Sequence, residues 1–592
     1  MNVYQTLLPS PKKIYHHLLL LIILLAFGIR LYNITYHSLW FDEAVSVYWA
    51  NQTVPRILEV GFTLVEDRLP PLYYLMLKGW GDLFGFTEWS VRSLSVLLGI
   101  LIIPATAAVA RQLFNQQVAL LTATLVALNP FLIWYAQEAR MYTPATLFSV
   151  LTVWAFLQLY TAPPTGGGQP RLKPTFIFLF ILFATAGLYS HLYSGFLLPA
   201  LGVWLFINYP HQWQKWLVFG LSGVVITLLY APIMLAIWRF SAESVPGDPL
   251  VGIGARLWGL LSAFTVWKAV LSSPLAWLIP AVIGGFAIVA LLFKSQQAQE
   301  NLHQLPFKYP GLLVLLLFLF PFLIANILLF RNHLAFFGER YFIVMTPWLL
   351  CLAAAGAVMG GTWLSKRLNI SQSLQFSMAL PALLLIVATL IPIPNQWQTP
   401  ATKESWRQSV AYLAEYATPN HGILIHPDWV RFPFQFYFQG PGQTYAAFST
   451  VTAETALDGP LQGVVGDHPV IWLIQSHLDQ PDPDRRVEQW FATRYPLITE
   501  LYPPGVTIKG YAPGYQSAAL PETAIPVDIT FENGLTLVGY EADKTVSATE
   551  DLFHPPSGWL HVTLYWQGKA SVQNDTMPFV HLVGPEAKII DA

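Results

Sequence analysis

The chain has 592 residues, of which 54% are hydrophobic and 11% are charged, and its formal net charge is -2. Because soluble globular chains carry about 25% charged residues, the composition excludes an ordinary soluble protein and indicates that lipid surrounds much of the chain. The net charge gives no reason to expect a nucleic-acid partner, and the single cysteine, Cys351, excludes an intramolecular disulfide.

The first apolar run, residues 18–29, follows Lys12 and Lys13. A charged start and an apolar run are also typical of a cleaved signal peptide, which is the alternative interpretation. No small-residue cleavage site follows, because the run continues directly into Arg30. We therefore interpret this run as a retained signal anchor.

Apolar stretches long enough for a membrane span recur along the first two thirds of the chain, since a span needs about 20 apolar residues. We predict eleven spans, near residues 15–35, 89–110, 117–135, 141–160, 174–190, 192–208, 215–238, 275–293, 310–330, 341–362 and 374–394. Basic residues such as Arg111, Lys215 and Lys366 fall in alternate connections, which the positive-inside rule places in the cytoplasm. Residues 36–88, 136–140, 239–274, 331–340 and everything after about 395 are then on the outer face.

The segments outside the spans suggest further structure. Residues 43–60 and 71–84 have helical apolar spacing but are too short or too polar to span, so we expect amphipathic surface helices. We divide the chain into a membrane domain (1–394), an outer α/β domain (395–520) and a β-sandwich-like module (521–592).

The two outer domains are predicted from short elements. The α/β domain has helix-like residues 405–416 and 484–494 and strand-like residues 422–426 and 470–474. The module alternates apolar and polar residues, but only three or four strands are readable before Ala592. We expect the module to be truncated, or to complete its sheet in another way.

The strongest candidate site is SLWFDEA, residues 38–44, which places the adjacent carboxylates Asp42 and Glu43 just outside the first span. Two such acids are suited to catalysis at the membrane surface. The alternative is that they stabilise the start of the following helix, which acids do by about 0.3–1 kcal/mol.

Two further outer segments carry charged pairs. Asp67 and Arg68 precede Pro70 and Pro71, and the prolines suit the first turn of a helix. Glu138 and Arg140 lie between two predicted spans, where an ionised group is costly unless it is paired or functional. The alternatives are a solvated helix start and a local ion pair.

The last two segments carry His191, at an outer turn, and Arg340 with Tyr341, at the entry to the tenth span. His191 is alternatively structural. Arg340 either reaches lipid headgroups or binds a phosphate directly. Because all five segments fall on the same predicted face, one active site is favoured over scattered helix caps.

The order of these motifs carries a family resemblance. LWFDEA is followed by DxxPPLYY, by a WSVRSLSVLLG span, by YAQEARMY and by RY-x5-P, which runs from Arg340 to Pro347. Over about residues 15–394 the chain resembles the GT-C membrane glycosyltransferases, in particular the protein O-mannosyltransferases and lipid A aminoarabinose transferases. The C-terminal parts are similar to outer-face domains of many bacterial members. The implied fold is a polytopic helical membrane protein of about eleven spans with a C-terminal outer region.

The resemblance implies a polyprenyl-phosphate sugar donor and a catalytic aspartate in the first outer loop, which is Asp42 here, with Glu43 beside it. Family members often have His-Pro-Pro where this chain has Leu69-Pro70-Pro71, so a role of that histidine is not carried over and a divalent metal stays an open possibility. The substrate-binding candidates are Asp67, Arg68, Tyr73, Glu138, Arg140, His191, Arg340 and Tyr341.

We expect a single displacement that inverts the anomeric carbon. Asp42 would accept the proton of an acceptor hydroxyl, Arg140 and Arg340 would hold the phosphate, and Glu138 would hold Arg140. The aromatic side chains Trp40, Tyr73, Tyr74 and Trp134 line the sugar path or pack the core. The acceptor is a protein, a lipid or a polysaccharide, and the location is the inner (plasma) membrane, with the C-terminal part periplasmic or extracellular.

Two other classes remain as alternatives. A transporter or flippase of lipid-linked sugars would place charges near the membrane midplane, often in related halves of the chain. The predicted spans contain almost no charge and no internal repeat is evident, which favours an enzyme. A membrane-anchored binding protein would use the outer β module as its functional part.

Overall fold

The computed structural model describes residues 11–160, 173–240, 252–269, 271–292, 310–332, 338–367, 376–398, 403–513, 519–531, 534–543, 561–568, 582–583 and 589–591. The chain separates into two compact units, Met1–Lys403 and Glu404–Ala592.

All regular secondary structure among the described residues of the first unit is helical. Its α-helices are α1 (Pro11–Leu31), α2 (Phe41–Ala50), α3 (Val54–Thr63), α4 (Leu72–Phe84), α5 (Glu88–Leu113), α6 (Gln116–Leu128), α7 (Pro130–Ala136), α8 (Tyr142–Tyr160), α9 (Pro174–Ser190), α10 (Leu198–Asn208), α11 (Trp213–Phe240), α12 (Ile253–Val266), α13 (Ser273–Leu292), α14 (Pro310–Asn332), α15 (Thr346–Arg367) and α16 (Phe376–Leu390). Short 3-10 helices occupy Leu192–Leu197, Glu339–Met345 and Ile393–Trp397.

The polytopic helical class is confirmed. Among the described residues, 8 helices are long and apolar enough to cross a membrane, and α6 with α7 forms a ninth candidate that is bent by 57°. The two remaining predicted spans, residues 174–190 and 192–208, fall in shorter apolar helices. At about 1.5 Å per residue, the 17 residues of α9 extend roughly 26 Å, slightly less than the hydrocarbon core.

The bend between α6 and α7 is built by Asn129 and Pro130. The Asn129 side chain caps α7 by accepting the Leu132 N–H (3.0 Å). The proline takes the first helical position, where its missing N–H is tolerated. Arg30 donates to the carbonyl oxygens of Ala127 (2.7 Å) and Val126 (3.1 Å), which satisfies carbonyls that the bend removes from α6. The bend therefore holds the turn that carries residues 137–140.

The segments that follow the first span fold as three short helices. Residues 43–60, predicted as one amphipathic helix, form α2 and α3 with a break at residues 51–53, and residues 71–84 form α4. Because α2 begins at Phe41, Asp42 and Glu43 occupy its first turn. One helical step of about 100° separates the two side chains, so they face different surroundings.

The second unit contains a five-stranded sheet of order β2-β1-β3-β5-β4. Its strands are β1 (Gly422–His426), β2 (Gln443–Ala446), β3 (Ile471–Gln475), β4 (Leu497–Leu501) and β5 (Thr507–Tyr511), with helices α17 (Trp406–Tyr416), α18 (Arg431–Tyr437), α19 (Asp458–Val465) and α20 (Arg486–Ala492). β1 pairs in parallel with β2 and β3, whereas β5 is antiparallel to β3 and β4. The predicted helices and strands are confirmed within two residues at each end.

The remaining strands of the second unit form two small antiparallel sheets. β6 (Ile525–Thr530), β7 (Leu535–Asp543) and β8 (His561–Gly568) form one sheet, and β9 (Leu582–Val583) pairs with β10 (Ile589–Asp591). The predicted β character is confirmed for these residues. Packing of two sheets into a sandwich, and the domain boundaries at 395 and 521, remain predictions.

Candidate functional site

The Asp42 carboxylate lies between two guanidinium groups. Its Oδ2 atom is 3.5 Å from Nη2 of Arg140 and 3.2 Å from Nη1 of Arg340. The Asp42 side chain is 16% exposed, so a substrate can approach it, whereas Arg140 is buried. The α2 helix has no side-chain cap, so the carboxylate is committed to the arginines rather than to the helix end. Residues 42, 140 and 340 thus form one cluster, as expected from their shared face.

Arg140 is held in this cluster by several acceptors. Its Nη1 donates to the Asp42 carbonyl oxygen (3.0 Å) and to Ser46 Oγ (3.2 Å). Burial lowers the pKa of the Arg140 guanidinium, but the charge of Asp42, together with Tyr142, Tyr74 and Asp67, raises this pKa well above its ordinary value. Among the described residues, Arg140 Nε and the neighbouring Tyr142 hydroxyl are buried without a hydrogen-bond partner. Donors that lack an acceptor inside a polar cluster suit an anionic ligand.

Glu43 does not share the surroundings of Asp42. Its carboxylate is fully buried and receives two hydrogen bonds from Arg92, from Nε (2.8 Å) and Nη2 (2.7 Å). The backbone N–H of Ala139 donates a third (2.9 Å). Burial alone would raise the pKa of Glu43, but Arg92 and Lys403 together lower it. The predicted catalytic role of Glu43 is not supported, because a buried carboxylate with these partners cannot reach a substrate.

Arg92 organises the loop between α1 and α2. It is 1% exposed, and besides Glu43 it donates to the carbonyl oxygens of Ile34 (2.8 Å), His37 (2.8 Å) and Ser38 (3.0 Å). Its motif, WSVRSLSVLLG, belongs to the family resemblance, but Arg92 is not among the predicted site residues. The available signal was an arginine near the start of an apolar helix, which is costly unless it is paired.

Asp67 joins the cluster from the segment before α4. Tyr74 donates its hydroxyl hydrogen bond to Asp67 Oδ2. Burial raises the pKa of Asp67, and the hydrogen bond from Tyr74 and the charge of Arg140 partly oppose this rise. The predicted substrate contact of Tyr73 is not supported, because its side chain is buried and its hydroxyl lies 3.3 Å from Ser95 Oγ. Arg68 is exposed at the surface.

His191 and Tyr341 stack beside Arg340. Their ring centroids lie 5.2 Å apart with an interplanar angle of 17°. The Arg340 guanidinium lies over the rings of Tyr341 (5.5 Å) and Trp40 (5.3 Å). Burial, together with the positive charges of Arg140 and Arg340, lowers the pKa of His191 to about 3. His191 therefore contributes a neutral ring to the wall of the cluster.

This lowered pKa predicts a pH-dependent stability. The folded state favours neutral His191, so its contribution is present above the ordinary histidine pKa of about 6.5 and is lost as the pH falls towards 3. At pH 5 the loss is about 2 kcal/mol. We expect the melting temperature of the detergent-solubilised protein to fall between pH 7.5 and pH 5. His191→Phe, which keeps a ring against Tyr341, should reduce that fall.

The fall in melting temperature that remains in His191→Phe should come partly from His37. The pKa of His37 is also lowered to about 3, mainly by burial. The exposed His211 is the matched control, and His211→Gln should leave the fall unchanged. An identical pH response of wild type and His191→Phe would contradict the assignment of neutral His191.

The predicted pairing of Glu138 with Arg140 is wrong. Glu138 Oε1 instead lies 2.8 Å from Nζ of Lys403 and accepts the Trp134 indole N–H (2.7 Å). Lys403 also lies 3.3 Å from Glu43 Oε2. No local pattern pointed to Lys403, because it follows the last apolar stretch and its partners are distant in sequence.

The described residues contain no group of three or more histidine, cysteine, aspartate or glutamate side chains that could hold a metal ion. The charged groups that face Asp42 are guanidinium groups. Each guanidinium can donate two hydrogen bonds to two oxygens of one phosphate. The described cluster therefore fits a bound phosphate better than a divalent cation.

Part of the chain matches a model of a known protein family. Residues 68–238 match a family model described as dolichyl-phosphate-mannose-protein mannosyltransferase. This range includes Glu138, Arg140 and His191 but not Asp42 or Arg340. No curated protein sequence matches the chain.

Two solved structures share the overall architecture. ArnT from Cupriavidus metallidurans in the apo state matches with a TM-score of 0.53 at 13% identity, over 83% of this chain and 97% of that chain. The Archaeoglobus fulgidus oligosaccharyltransferase, tethered with an acceptor peptide containing the NVT sequon, matches with a TM-score of 0.50 at 13% identity, over 86% of this chain and 75% of that chain. At such low identity the likeness establishes a shared fold.

Proposed function

Because the chain has the fold of the GT-C membrane glycosyltransferases, we propose that it transfers a sugar from a polyprenyl-phosphate-linked donor to an acceptor hydroxyl. The observation that carries this proposal is the Asp42 carboxylate flanked by Arg140 and Arg340. A base and a phosphate-binding pair within about 4 Å are the two elements that such a displacement needs.

The chemistry follows from these positions. The acceptor oxygen attacks the anomeric carbon while Asp42 takes the hydroxyl proton, and the bond between that carbon and the phosphate oxygen breaks. The bonding electrons leave with the phosphate, where Arg140 and Arg340 meet the developing negative charge. One displacement inverts the anomeric configuration. Asp42 returns its proton to water after the product leaves.

A protein acceptor has the most support among the three acceptor classes. The matching family model describes a protein mannosyltransferase, and the similar oligosaccharyltransferase holds an acceptor peptide. We place the reaction on the outer face of the plasma membrane, on the basis of the basic residues between spans. Mass spectrometry of glycolipids and glycoproteins from a deletion strain would identify donor and acceptor together.

Arg340→Ala tests the phosphate-binding pair. Loss of one charged partner should weaken donor binding, and we expect the KM for donor to rise about tenfold or more. The measurement is transfer in detergent from a panel of polyprenyl-phosphate-linked pentoses and hexoses. Detergent removes the two membrane sides, so transfer in this assay separates an enzyme from a flippase.

The matched control is Arg56→Ala, since Arg56 is an exposed arginine of α3 whose ion pairs are with Glu59 and Glu66. Arg56→Ala should keep the wild-type KM. Binding of undecaprenyl phosphate alone to each purified variant provides a second readout that needs no sugar. An unchanged donor dependence in Arg340→Ala would leave Arg340 as a membrane-surface residue.

A further inference from the structure

Two buried carboxylates of the first unit share one lysine. Lys403 Nζ lies 2.8 Å from Glu138 Oε1 and 3.3 Å from Glu43 Oε2, and its side chain is 6% exposed. The ammonium also lies over the rings of Trp134 (5.1 Å) and Trp40 (5.8 Å). Its two contacts are therefore desolvated ion pairs, in which the Coulomb attraction is stronger than in water and loss of one partner is costly.

The charges in this group balance. Glu43 and Glu138 carry two negative charges, and Arg92 and Lys403 carry two positive charges. Arg92 binds Glu43 through Nε and Nη2, and Lys403 Nζ lies within 3.3 Å of both carboxylates. Lys403 is consequently the described cation that joins the two carboxylates.

The two carboxylates belong to the segments that carry the reacting cluster. Glu43 is the neighbour of Asp42 in the first turn of α2, and Glu138 is two residues before Arg140. Glu43 also accepts a hydrogen bond from the backbone N–H of Ala139, the residue between Glu138 and Arg140. A link from Glu43 to Glu138 therefore sets the distance between α2 and the turn at 138–140.

We propose that Lys403 is a positioning residue: by joining Glu43 to Glu138, it holds Asp42 and Arg140 at a fixed distance and orientation. This inference rests on the proposed function, because a base and a phosphate-binding group that act in one step must keep a fixed relative position. Lys403 touches neither of the reacting groups and acts through the two glutamates. A displacement of about 1 Å between reacting groups can cost about 100-fold in rate.

Lys403→Met is the first variant, since methionine fills most of the lysine volume without its charge. We expect kcat for transfer to fall about 10–100-fold, because Asp42 and Arg140 no longer keep their relative position. The KM for donor should change by less than about threefold, because both arginines remain. A kcat within about twofold of wild type would overturn the proposal.

A double-mutant cycle with Glu138→Gln separates positioning from general damage. Both single variants break the same link, so the double variant should have a kcat near that of the poorer single variant. Multiplicative losses would mean that Lys403 and Glu138 act independently, and would overturn the proposal.

Lys215 provides a matched control for loss of a buried lysine. It is 8% exposed, lies 3.3 Å from the Tyr160 carbonyl oxygen and 3.3 Å from the centroid of the Tyr209 ring, and has no described contact with the cluster. Lys215→Met should lower the melting temperature while keeping kcat. An equal loss of kcat in both methionine variants, at matched melting temperatures, would assign the Lys403 effect to stability.

Amide exchange tests the same inference without turnover. The Ala139 N–H is protected by Glu43, so Lys403→Met should speed exchange of residues 137–140 by about tenfold, whereas the capped Leu132 N–H should be unaffected. Unchanged exchange would overturn the positioning role. If wild type transfers no sugar, the proposed function fails and the exchange result still decides whether Lys403 holds the turn.

Discussion

Asp42→Asn is expected to lower sugar transfer by at least about 100-fold, the low end of the contribution of a general base. The amide keeps the size of the side chain but cannot take the acceptor proton. It also removes the negative charge between Arg140 and Arg340, which should leave phosphate binding intact or stronger. Two quantities are measured in detergent: kcat for transfer and the binding of undecaprenyl phosphate. We expect kcat to be lost and binding to be retained.

Asp82→Asn is the matched control for this experiment. Asp82 lies on α4, where its exposed carboxylate is 3.3 Å from Lys78 Nζ, so neutralising it should leave transfer near the wild-type rate. Near-normal turnover of Asp42→Asn would remove Asp42 from the mechanism. Loss of undecaprenyl phosphate binding together with kcat would show instead that the variant is misfolded.

Arg92→Met should destabilise the first unit by about 3–5 kcal/mol, because it leaves the buried Glu43 carboxylate without its main partner. It also removes the donors to three carbonyl oxygens of the loop that precedes α2. We expect a large fall in melting temperature and in the yield of solubilised protein. A melting temperature equal to wild type would show that Arg92 is not structurally required.

The double variant Glu43→Gln with Arg92→Met isolates the charge effect. It leaves Glu138 opposite Lys403, so the buried group is again neutral and much of the lost stability should return. Arg56→Met, at an exposed arginine, should have little effect on melting. If the double variant is less stable than Arg92→Met, the contacts of the Glu43 carboxylate with the Ala139 N–H and Lys403 contribute more stability than its uncompensated charge costs.

The broken span illustrates how far local pattern reaches. The apolar content of residues 117–135 predicted one span, and the helices α6 and α7 do occupy this stretch. The dipeptide Asn129-Pro130 is a local signal for a helix start. The bend at this dipeptide also depends on Arg30 of α1, which donates hydrogen bonds to the carbonyl oxygens at the end of α6. That contact lies 97 residues away in sequence, beyond the reach of periodicity.

The tyrosine pair shows a different limit. Tyr73 and Tyr74 are adjacent and alike, and successive residues of a helix point about 100° apart. Tyr73 was the predicted substrate contact, whereas packing of α4 directs Tyr73 to Ser95 and Tyr74 to Asp67. The helical phase relative to the neighbouring helices decides between them, and no local signal encodes that phase.

The sequence by itself determined the membrane class and most helices and strands, because hydropathy follows from local composition. It also predicted that Asp42, Asp67, Arg140, His191 and Arg340 share one face of the membrane. The family resemblance already assigned the base to Asp42, but only the tertiary structure showed that Glu43 is buried and revealed Arg92 and Lys403 as its partners. Glu43 meets them across 49 and 360 residues of chain. Ion pairs at such separations depend on how helices pack, and a buried charge selects its partner from whatever the fold brings near.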